Sequence, residues 1–290
     1  RPILIMAATL SVDAMGGDHG ISVTVPASIR FLKEHLDCKI ILVGDADAIR
    51  KELGNNLTIF ASRIEVVHAS EVVAMDALPQ SAMRVRDSSM RIAINLVKES
   101  RADAIVSAGN TGALMAISRY VLHTMNGIDR PAIAKILPTI TGSVCVLDLG
   151  ASIESSPEHL FQFAIMGTQL MKGVTKNPSP SVGLLNIGSE EIKGHDEIKQ
   201  ASLLLKNSRL NFYGNVEGDD INKGTVDVVV CDGFTGNVAL KTIEGAAKMI
   251  AMLVKEEFTS TNMSKIMASA AYPVLKRIKA RLDPRKYNGA

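Results

Sequence analysis

The segment that decides the fold is DAIVSAGNTGALMA, residues 103–116. Residues 104–106 form a short apolar run that predicts a buried strand, and the alanine- and leucine-rich residues after 111 predict a helix. Between them lies a polar corner that contains Gly109 and Gly112. Glycine lets the backbone approach a ligand closely, and a helix N-terminus offers unpaired N–H groups and a positive dipole end. This corner therefore suits a phosphate group.

The same order of apolar run, glycine-containing corner and helical pattern recurs along the chain. The further instances are TLSVDAMGGDHG (9–20), KIILVGDAD (39–47), SVCVLDLGAS (143–152), SVGLLNIGSEE (181–191) and DVVVCDGFTGN (227–237), with RIEVVHASE (63–71) as a weaker one. Runs that are apolar on both faces and separated by helices indicate parallel strands covered on both sides. We therefore predict an α/β fold, a three-layer sandwich with a mostly parallel sheet.

Composition restricts the class of protein. The 290 residues are 47% hydrophobic and 21% charged, as in an ordinary globular protein, and no apolar run reaches the roughly 18 to 20 residues that span a bilayer. A net charge of +2 and an aromatic content of 4% without Trp argue against nucleic acid binding. Cys38, Cys145 and Cys231 are far apart in or beside apolar runs, which predicts buried thiols in a reducing cytoplasm.

Polar residues concentrate where the predicted strands end. Because parallel sheets bind ligands at the carboxyl ends of their strands, these residues are candidates for a site, although single corners of this kind also serve as turns and helix caps. The predicted phosphate- and substrate-binding residues are Asp13, Gly16, Gly17, Asp18, Gly109, Thr111, Gly112, Asn186, Asp232, Gly233, Gly236 and Asn237, and Asp148 follows a further strand.

The corner DGFTGN repeats the features of SAGNTGA. Lys241 follows Asn237 by one helical turn, so that a cation would lie near the same anion, unless this lysine belongs to a solvated helix face. The sequence contains no P-loop, no G-x-G-x-x-G, no H-E-x-x-H and no G-x-S-x-G. We therefore expect no cofactor, no metal and no covalent nucleophile.

A longer series of motifs resembles one family. SVDAMGGDHG, DSSM, ADAIVSAGNTGALMA, GIDRPAIA, VLDLGA, PEHLFQFAIMG, VGLLNIGSEEIKG, DVVVCDGFTGNVALK and RLDPRKYNGA occur in this order, and together they resemble the bacterial phosphate acyltransferase (PlsX) family. The resemblance implies transfer of a fatty acyl group from acyl carrier protein to inorganic phosphate, giving acyl phosphate for phospholipid synthesis. It also implies a fold like that of isocitrate and isopropylmalate dehydrogenases, a homodimer, and peripheral association with the membrane.

This chemistry agrees with the anion-binding corners predicted from the sequence. Phosphate is itself the nucleophile, so the protein has to hold it and stabilise the developing oxyanion. Asn110, with Thr111 and Asn237, supplies neutral donors, while His19 and then Lys241 are the candidates to protonate the leaving thiolate. His19 is equally consistent with a loop hydrogen bond only. The aspartates at these corners are expected to orient donors, since carboxylates repel a dianion.

Two regions need separate expectations. Where the family has an Asn after VLDLGA, this chain has Ser152, which would have to replace an amide.

Apolar residues recur at helical spacing along residues 263–281, and the basic residues of this segment are Lys276, Arg277, Lys279 and Arg281. This pattern is typical of an amphipathic helix on an anionic membrane surface. The alternative is packing against a partner subunit or the core, with Pro273 breaking the helix.

We thus predict one catalytic domain over residues 1–290, with a helical projection at about 245–285 that contacts the dimer partner or the membrane. A cytoplasmic protein, at most peripherally bound to membrane or to a membrane acyltransferase, is expected. Two other functions stay open: a phosphotransacetylase-like enzyme that uses acyl-CoA, and a non-catalytic scaffold that binds carrier protein and membrane.

Overall fold

A computed structural model describes residues 8–282 of the chain. Within that range the chain forms two compact units, unit 1 with residues 8–125 and unit 2 with residues 126–282. Each unit has its own sheet. The single catalytic domain predicted for residues 1–290 stays a prediction.

Unit 1 contains a four-stranded, fully parallel sheet in the order β3-β2-β1-β4. Its strands are β1 (Thr9–Asp13), β2 (Lys39–Gly44), β3 (Ile64–His68) and β4 (Ala104–Ser107). Its helices are α1 (Ile21–Glu34), α2 (Ala46–Leu53), α3 (Asn56–Ile59), α4 (Pro79–Ala82), α5 (Ser89–Lys98) and α6 (Thr111–Leu122).

Both faces of this sheet are covered by helices. Because side chains alternate along a strand, Ile40 and Leu42 of β2 pack with α1 and α2, whereas Ile41 and Val43 pack with α5. All four side chains are almost completely buried. This explains why the strand is a continuous apolar run in the sequence.

Unit 2 contains a five-stranded sheet in the order β5-β6-β9-β7-β8, in which only β5 is antiparallel to its neighbour. Its strands are β5 (Ala134–Pro138), β6 (Ser143–Leu147), β7 (Ser181–Leu185), β8 (Asn211–Val216) and β9 (Val228–Val230). Its helices are α7 (Pro157–Thr175), α8 (Asp196–Lys206), α9 (Asp220–Lys223), α10 (Gly233–Thr259) and α11 (Asn262–Leu282). Helices α7 and α8 cover one face, and α9 with the start of α10 covers the other.

The predicted α/β class with mostly parallel sheets is confirmed. All seven strand-and-corner patterns form strands, namely β1 to β4, β6, β7 and β9. The burial predicted for residues 104–106 is wrong, because β4 lies at the edge of its sheet and its residues are exposed or half-buried. The sequence analysis did not identify β5 or β8. Strand β8, NFYGNV, lies at the edge of its sheet and lacks a long apolar run. Its first four residues alternate between exposed and half-buried, and its last two are buried.

The C-terminal segment is helical up to residue 282. From residue 245 onward the side chains of α10 and α11 are almost all exposed. The predicted break at Pro273 is wrong, since α11 continues through this residue. The lost backbone hydrogen bond is tolerated there because the surrounding side chains are exposed and the freed carbonyl can bind water. The predicted roles of the Lys279 and Arg281 side chains, and residues 283–285 of the projection, lie outside the described residues.

The burial predicted for the three thiols is confirmed. Cys38, Cys145 and Cys231 are free and each is at most 2% exposed. Burial raises the pKa of the Cys145 thiol to about 12. Burial, with Asp232 and Asp148 nearby, also raises the pKa of the Cys231 thiol. These thiols are therefore not activated nucleophiles.

Two glycines of α7 provide a matched test of this packing. A methyl group at Gly167 would lie 2.6 Å from Val228 Cγ1 and 2.9 Å from Leu147 Cδ2, whereas one at Gly173 would meet nothing within 4 Å. We expect Gly167→Ala to lower the free energy of unfolding by about 1–3 kcal/mol through overpacking. Gly173→Ala should raise it by roughly 0.5–1 kcal/mol, since alanine is the better helix former. Denaturant titration measures both, and equal effects would contradict the described packing of α7.

Candidate active site

Asp13, the last residue of β1, organises the corners of unit 1. Its side chain is 1% exposed, so its carboxylate must be hydrogen-bonded. Oδ1 accepts from the Ser89 hydroxyl at 2.6 Å, and Oδ2 accepts from the Ser107 hydroxyl at 2.7 Å. Ser107 Oγ in turn accepts from the Gly109 N–H at 3.0 Å. Asp13 therefore joins the ends of β1 and β4 to the start of α5. Its predicted part in substrate binding stays a prediction.

Glycines let these two corners approach each other. A Cβ at Gly16 would lie 2.6 Å from Asp13 Oδ2 and 2.9 Å from the Gly109 nitrogen. Gly17 has φ of +85°, and a Cβ there would lie 3.0 Å from the Ala108 carbonyl oxygen. The β1 and β4 corners are thus in direct contact, which is possible only because neither glycine carries a side chain.

Asn110 is the N-cap of α6. Its Oδ1 accepts from the Ala113 N–H at 2.9 Å. Its Nδ2 donates to the carbonyls of Met75 and Ala77 at 2.8 and 2.9 Å, so that it also fixes the loop before α4. Both polar atoms of the amide are therefore already engaged. That this amide donates to phosphate stays a prediction, and it would require one of these bonds to be exchanged.

The remaining predicted residues of unit 1 face solvent. Thr111 and Gly112 are exposed in the first turn of α6, where a helix leaves its N–H groups without intrahelical partners. Asp18 and His19 are exposed in the β1 corner just before α1 begins. No hydrogen bond to either side chain is found within residues 8–282, so His19 is free to contact a ligand.

Asp148 has the corresponding position in unit 2, directly after β6, and is completely buried. Its Oδ1 accepts the N–H groups of Ile133, Gly150 and Ala151 at 2.9, 3.2 and 3.0 Å. Its Oδ2 accepts the Ser152 N–H at 2.9 Å and the Ser152 hydroxyl at 2.8 Å. The carboxylate thus fixes the whole loop that follows β6. Ser152, in place of the family's Asn, is held by Asp148, with its hydroxyl also 3.2 Å from Ser155 Oγ.

The β9 corner packs directly on this loop. A Cβ at Gly233 would lie 2.0 Å from the Ser152 carbonyl oxygen, and a Cβ at Gly236 would lie 1.9 Å from that of Asp148. Both predicted glycines therefore serve close packing between the β6 and β9 corners. This contact gives a physical reason for DGFTGN, in which a side chain at either glycine position would separate the two loops.

The polar residues of DGFTGN divide into bound and free side chains. Asp232 is the N-cap of α10 and accepts from the Thr235 N–H at 2.8 Å and the Thr235 hydroxyl at 2.6 Å. Asn237 is exposed, its amide has no partner among the described residues, and it lies next to Gly150. Lys241 is 68% exposed and pairs with Glu244 at 3.2 Å. Lys135 hydrogen-bonds the same Glu244 and, with Lys241, lowers the pKa of that carboxyl.

Asn186 follows β7 and holds its own loop. Its Nδ2 donates to the Lys193 carbonyl at 3.0 Å, and its Oδ1 accepts from the Ile187 N–H at 2.8 Å. Gly194, with φ of +90°, lies so close that a Cβ there would be 2.4 Å from Asn186 Oδ1. In this structure the Asn186 amide therefore stabilises its own loop.

Unit 2 also contains a cavity that the sequence analysis did not identify. It has a volume of about 770 Å³ and lies where α7, α8 and α10 begin. Apolar side chains in its wall include Ile153, Leu160, Ile198 and Phe234, and two histidines, His159 and His195, also line it. The sequence signal for His159 was the pattern S-x-x-H at residues 156–159. It places a ring nitrogen at the position where a capping box usually has Glu or Gln.

The structure thus joins the predicted residues within each unit. In unit 1, the corners that carry Asp13, Gly16 and Gly109 touch, with the exposed residues beside them. In unit 2, the corners with Asp148 and Gly233 touch, whereas Asn186 belongs to a separate loop. Among residues 8–282, no group of three or more His, Cys, Asp or Glu side chains is arranged to hold a metal ion.

Comparisons with known proteins agree on the type of protein. A family model described as fatty acid synthesis protein matches residues 8–290. A phosphate acyltransferase from Chromobacterium violaceum is 60% identical over 286 residues, 98% of this chain and 83% of that protein. A phosphate acyltransferase from Paraburkholderia phytofirmans is 56% identical, again over 98% of this chain and over 78% of that protein.

Solved structures show the same fold at low sequence identity. EutD phosphotransacetylase from Staphylococcus aureus matches with a TM-score of 0.60 and 16% identity over 83% of each chain. A 4-hydroxythreonine-4-phosphate dehydrogenase from Burkholderia phymatum matches with a TM-score of 0.50 and 15% identity, over 82% of this chain and 84% of that one. The dehydrogenase-like α/β fold is therefore confirmed.

The two buried carboxylates give a matched prediction. In Asp148→Asn, the new NH₂ must face at least one fixed backbone N–H, which loses its acceptor at a cost of about 1–3 kcal/mol. In Asp13→Asn, the partners are hydroxyls, which can rotate and accept. Hydrogen exchange should therefore accelerate by roughly 5- to 100-fold at residues 148–152 of the first variant. In Asp13→Asn, hydrogen exchange at the β1 and β4 corners should accelerate less. A larger acceleration there than at residues 148–152 of Asp148→Asn would contradict the assigned hydrogen bonds.

Proposed function

The chain belongs to the fatty acid synthesis protein family, and on this premise we propose that it transfers a fatty acyl group to inorganic phosphate, forming acyl phosphate for phospholipid synthesis. The observation that carries the proposal is 60% and 56% identity to two phosphate acyltransferases over 98% of the chain. The protein is accordingly an enzyme, a transferase. The fold of the phosphotransacetylase neighbour is consistent with this chemistry.

The proposed reaction needs no nucleophile from the protein. An oxygen of hydrogen phosphate attacks the thioester carbonyl carbon, the new C–O bond forms, and the C–S bond breaks through a tetrahedral oxyanion. The proton of the hydrogen phosphate ends on the departing thiol, so that acyl phosphate and free thiol are the products. Binding the two substrates together and stabilising the oxyanion are the catalytic tasks. The buried, unactivated thiols agree with this mechanism.

Free donors at the corners are the proposed phosphate ligands. Each unit by itself offers such donors: unit 1 the first-turn N–H groups of Thr111 and Gly112, and unit 2 the exposed amide of Asn237. We assign Asn110 to holding its corner, because its amide is engaged with Met75 and Ala77. His19 is the first proposed carrier of the proton to the thiolate because its side chain is exposed and unpaired within the described residues.

Lys241 is the second proposed proton carrier. Its ion pair with Glu244 is exposed, so the pair contributes little stability and can be exchanged for a ligand. One helical turn separates it from Asn237 on α10, which supports a phosphate near both side chains. Glu244 remains paired with Lys135 when Lys241 moves.

Acyl carrier protein is the proposed acyl donor, and coenzyme A the alternative. The purified chain, given palmitoyl-carrier protein and phosphate, should form an acyl phosphate that hydroxylamine traps as a hydroxamate. Palmitoyl-coenzyme A in the same assay should react far more slowly. Preference for coenzyme A would favour the phosphotransacetylase-like alternative, and no product from either thioester would favour the scaffold.

Asn237 gives a test of the phosphate position with a matched control. Asn237→Ala removes a free donor to phosphate, and loss of a hydrogen bond to a charged group costs about 1.5–3 kcal/mol, roughly 10- to 150-fold in kcat/KM for phosphate. Asn207 is also exposed and without a side-chain hydrogen bond among residues 8–282, and it lies at the end of α8, so Asn207→Ala is the control. Steady-state rates of both variants are measured at varied phosphate concentration. Equal activity of both variants and wild type would refute this role for Asn237.

The exposed helices α10 and α11 are the proposed contact with a second copy or a membrane. Apolar side chains near their connection are exposed, including Leu253 at 53%, Met263 at 66% and Ile266 at 66%. Residues 245–278 contain five basic and two acidic side chains, which suits an anionic surface. No helix within residues 8–282 is long and apolar enough to cross a bilayer.

Sedimentation measurements separate the two contacts. We expect a homodimer of twice the 31.0 kDa chain mass in sedimentation velocity. We also expect the protein to pellet with phosphatidylglycerol vesicles and much less with phosphatidylcholine vesicles, because phosphatidylcholine has no net negative charge to attract the basic side chains. A monomer that pellets would assign the helices to the membrane alone, and a dimer that never pellets would assign them to the partner subunit.

A further inference from the structure

The cavity between the starts of α7, α8 and α10 contains a histidine with an unusual constraint. His159 is the third residue of α7, and its backbone N–H donates to the Ser156 hydroxyl at 3.3 Å. In return, the Ser156 N–H donates to Nδ1 of His159 at 3.2 Å. This is a capping box in which the imidazole takes the place of the usual Glu or Gln side chain.

The capping box selects one tautomer of the neutral ring. A backbone N–H can only donate, so Nδ1 carries a lone pair, and the ring proton of the neutral imidazole is then on Nε2. Within residues 8–282, no acceptor for the Nε2–H is found.

The surroundings of His159 favour a neutral, partly apolar ligand. Phe163 stacks on the ring with 6.5 Å between centroids, and His159 lines the cavity together with Ile153, Leu160 and Phe234. Three carboxylates, Glu154, Glu197 and Asp232, also lie in the wall. The volume of about 770 Å³ lies within the roughly 300–1,000 Å³ of small-molecule sites.

We propose that this cavity receives the thioester end of the acyl donor and that His159 is a catalytic residue whose Nε2–H donates a hydrogen bond to the thioester carbonyl oxygen. The proposal rests on the proposed acyl transfer to phosphate. As phosphate attacks, negative charge develops on that oxygen, and a neutral donor fixed in advance by Ser156 stabilises it without transferring a proton. The apolar wall holds the first part of the acyl chain.

Three variants of the full chain separate this role from simple capping. His159→Gln keeps the capping box and a neutral N–H donor, whereas His159→Glu keeps the box without the donor. His159→Leu removes both and introduces no charge. Acyl phosphate formation is measured for each well below its melting temperature, with kcat and the KM values for phosphate and thioester determined separately.

We expect His159→Gln to retain a kcat within several-fold of wild type, and both other variants to lose about 100-fold in kcat, the typical effect of one oxyanion donor. Melting temperatures of the Gln and Glu variants should stay close to wild type. Equal kcat for the Gln and Glu variants would show a capping role only and overturn the proposal. A defect confined to His159→Glu, or to the KM for phosphate, would reveal a charge effect and overturn it as well.

Wild-type and His159→Leu protein together distinguish failure of the proposed function from failure of the His159 role. Wild-type protein that forms no acyl phosphate would remove the proposed function, and the role of His159 with it. Wild-type protein that is active beside a fully active His159→Leu variant would leave the function intact and remove His159 alone.

Discussion

Two buried carboxylates hold the corners on which every proposed contact depends. Asp148 accepts four backbone N–H groups and one hydroxyl, and Asp13 accepts two hydroxyls. A buried charge is tolerated only when it is hydrogen-bonded in this way, so each carboxylate fixes its loop in one conformation. The donors exposed on those loops are therefore in position before a ligand arrives, which is what electrostatic stabilisation of a transition state requires.

Structural and functional uses compete for the same kinds of side chain at these corners. Asn110 and Asp232 cap α6 and α10, and Asn186 closes its own loop, so their polar atoms already have partners. Among the described residues, the groups that stay free include the exposed amide of Asn237, the first-turn N–H groups of Thr111 and Gly112, the His19 side chain and the Nε2–H of His159. Function is thus assigned to groups that the fold leaves unpaired, while their capped neighbours keep them in place.

The sequence predicted strands well wherever both faces of a strand are buried. Such strands are continuous apolar runs, as in KIILVG of β2 and SVCVL of β6. The edge strand β8 was missed because NFYGNV contains two Asn and a Gly and therefore lacks a continuous apolar run. The helix after residue 262 was predicted from its apolar spacing, and the break at Pro273 that one alternative contained is absent.

The site could be predicted only in part, because its partners are distant in sequence. The corners were identified, but the bonds from Asn110 to Met75 and Ala77 span 35 and 33 residues and leave no local pattern. His159 looked like one more residue of a helix, and the cavity beside it is formed by three helix starts that are separated along the chain. The glycines of these corners were predicted to let a ligand approach the backbone, whereas in the structure Gly16, Gly233 and Gly236 let one corner pack on another.

The central claim is that bound phosphate performs the attack itself, without an acylated protein. Intact-protein mass spectrometry tests this most directly, after the chain is mixed with a fatty acyl thioester of carrier protein in the absence of phosphate. The account predicts an unchanged protein mass, followed by acyl phosphate as soon as phosphate is added. A protein mass increased by one acyl group would contradict it.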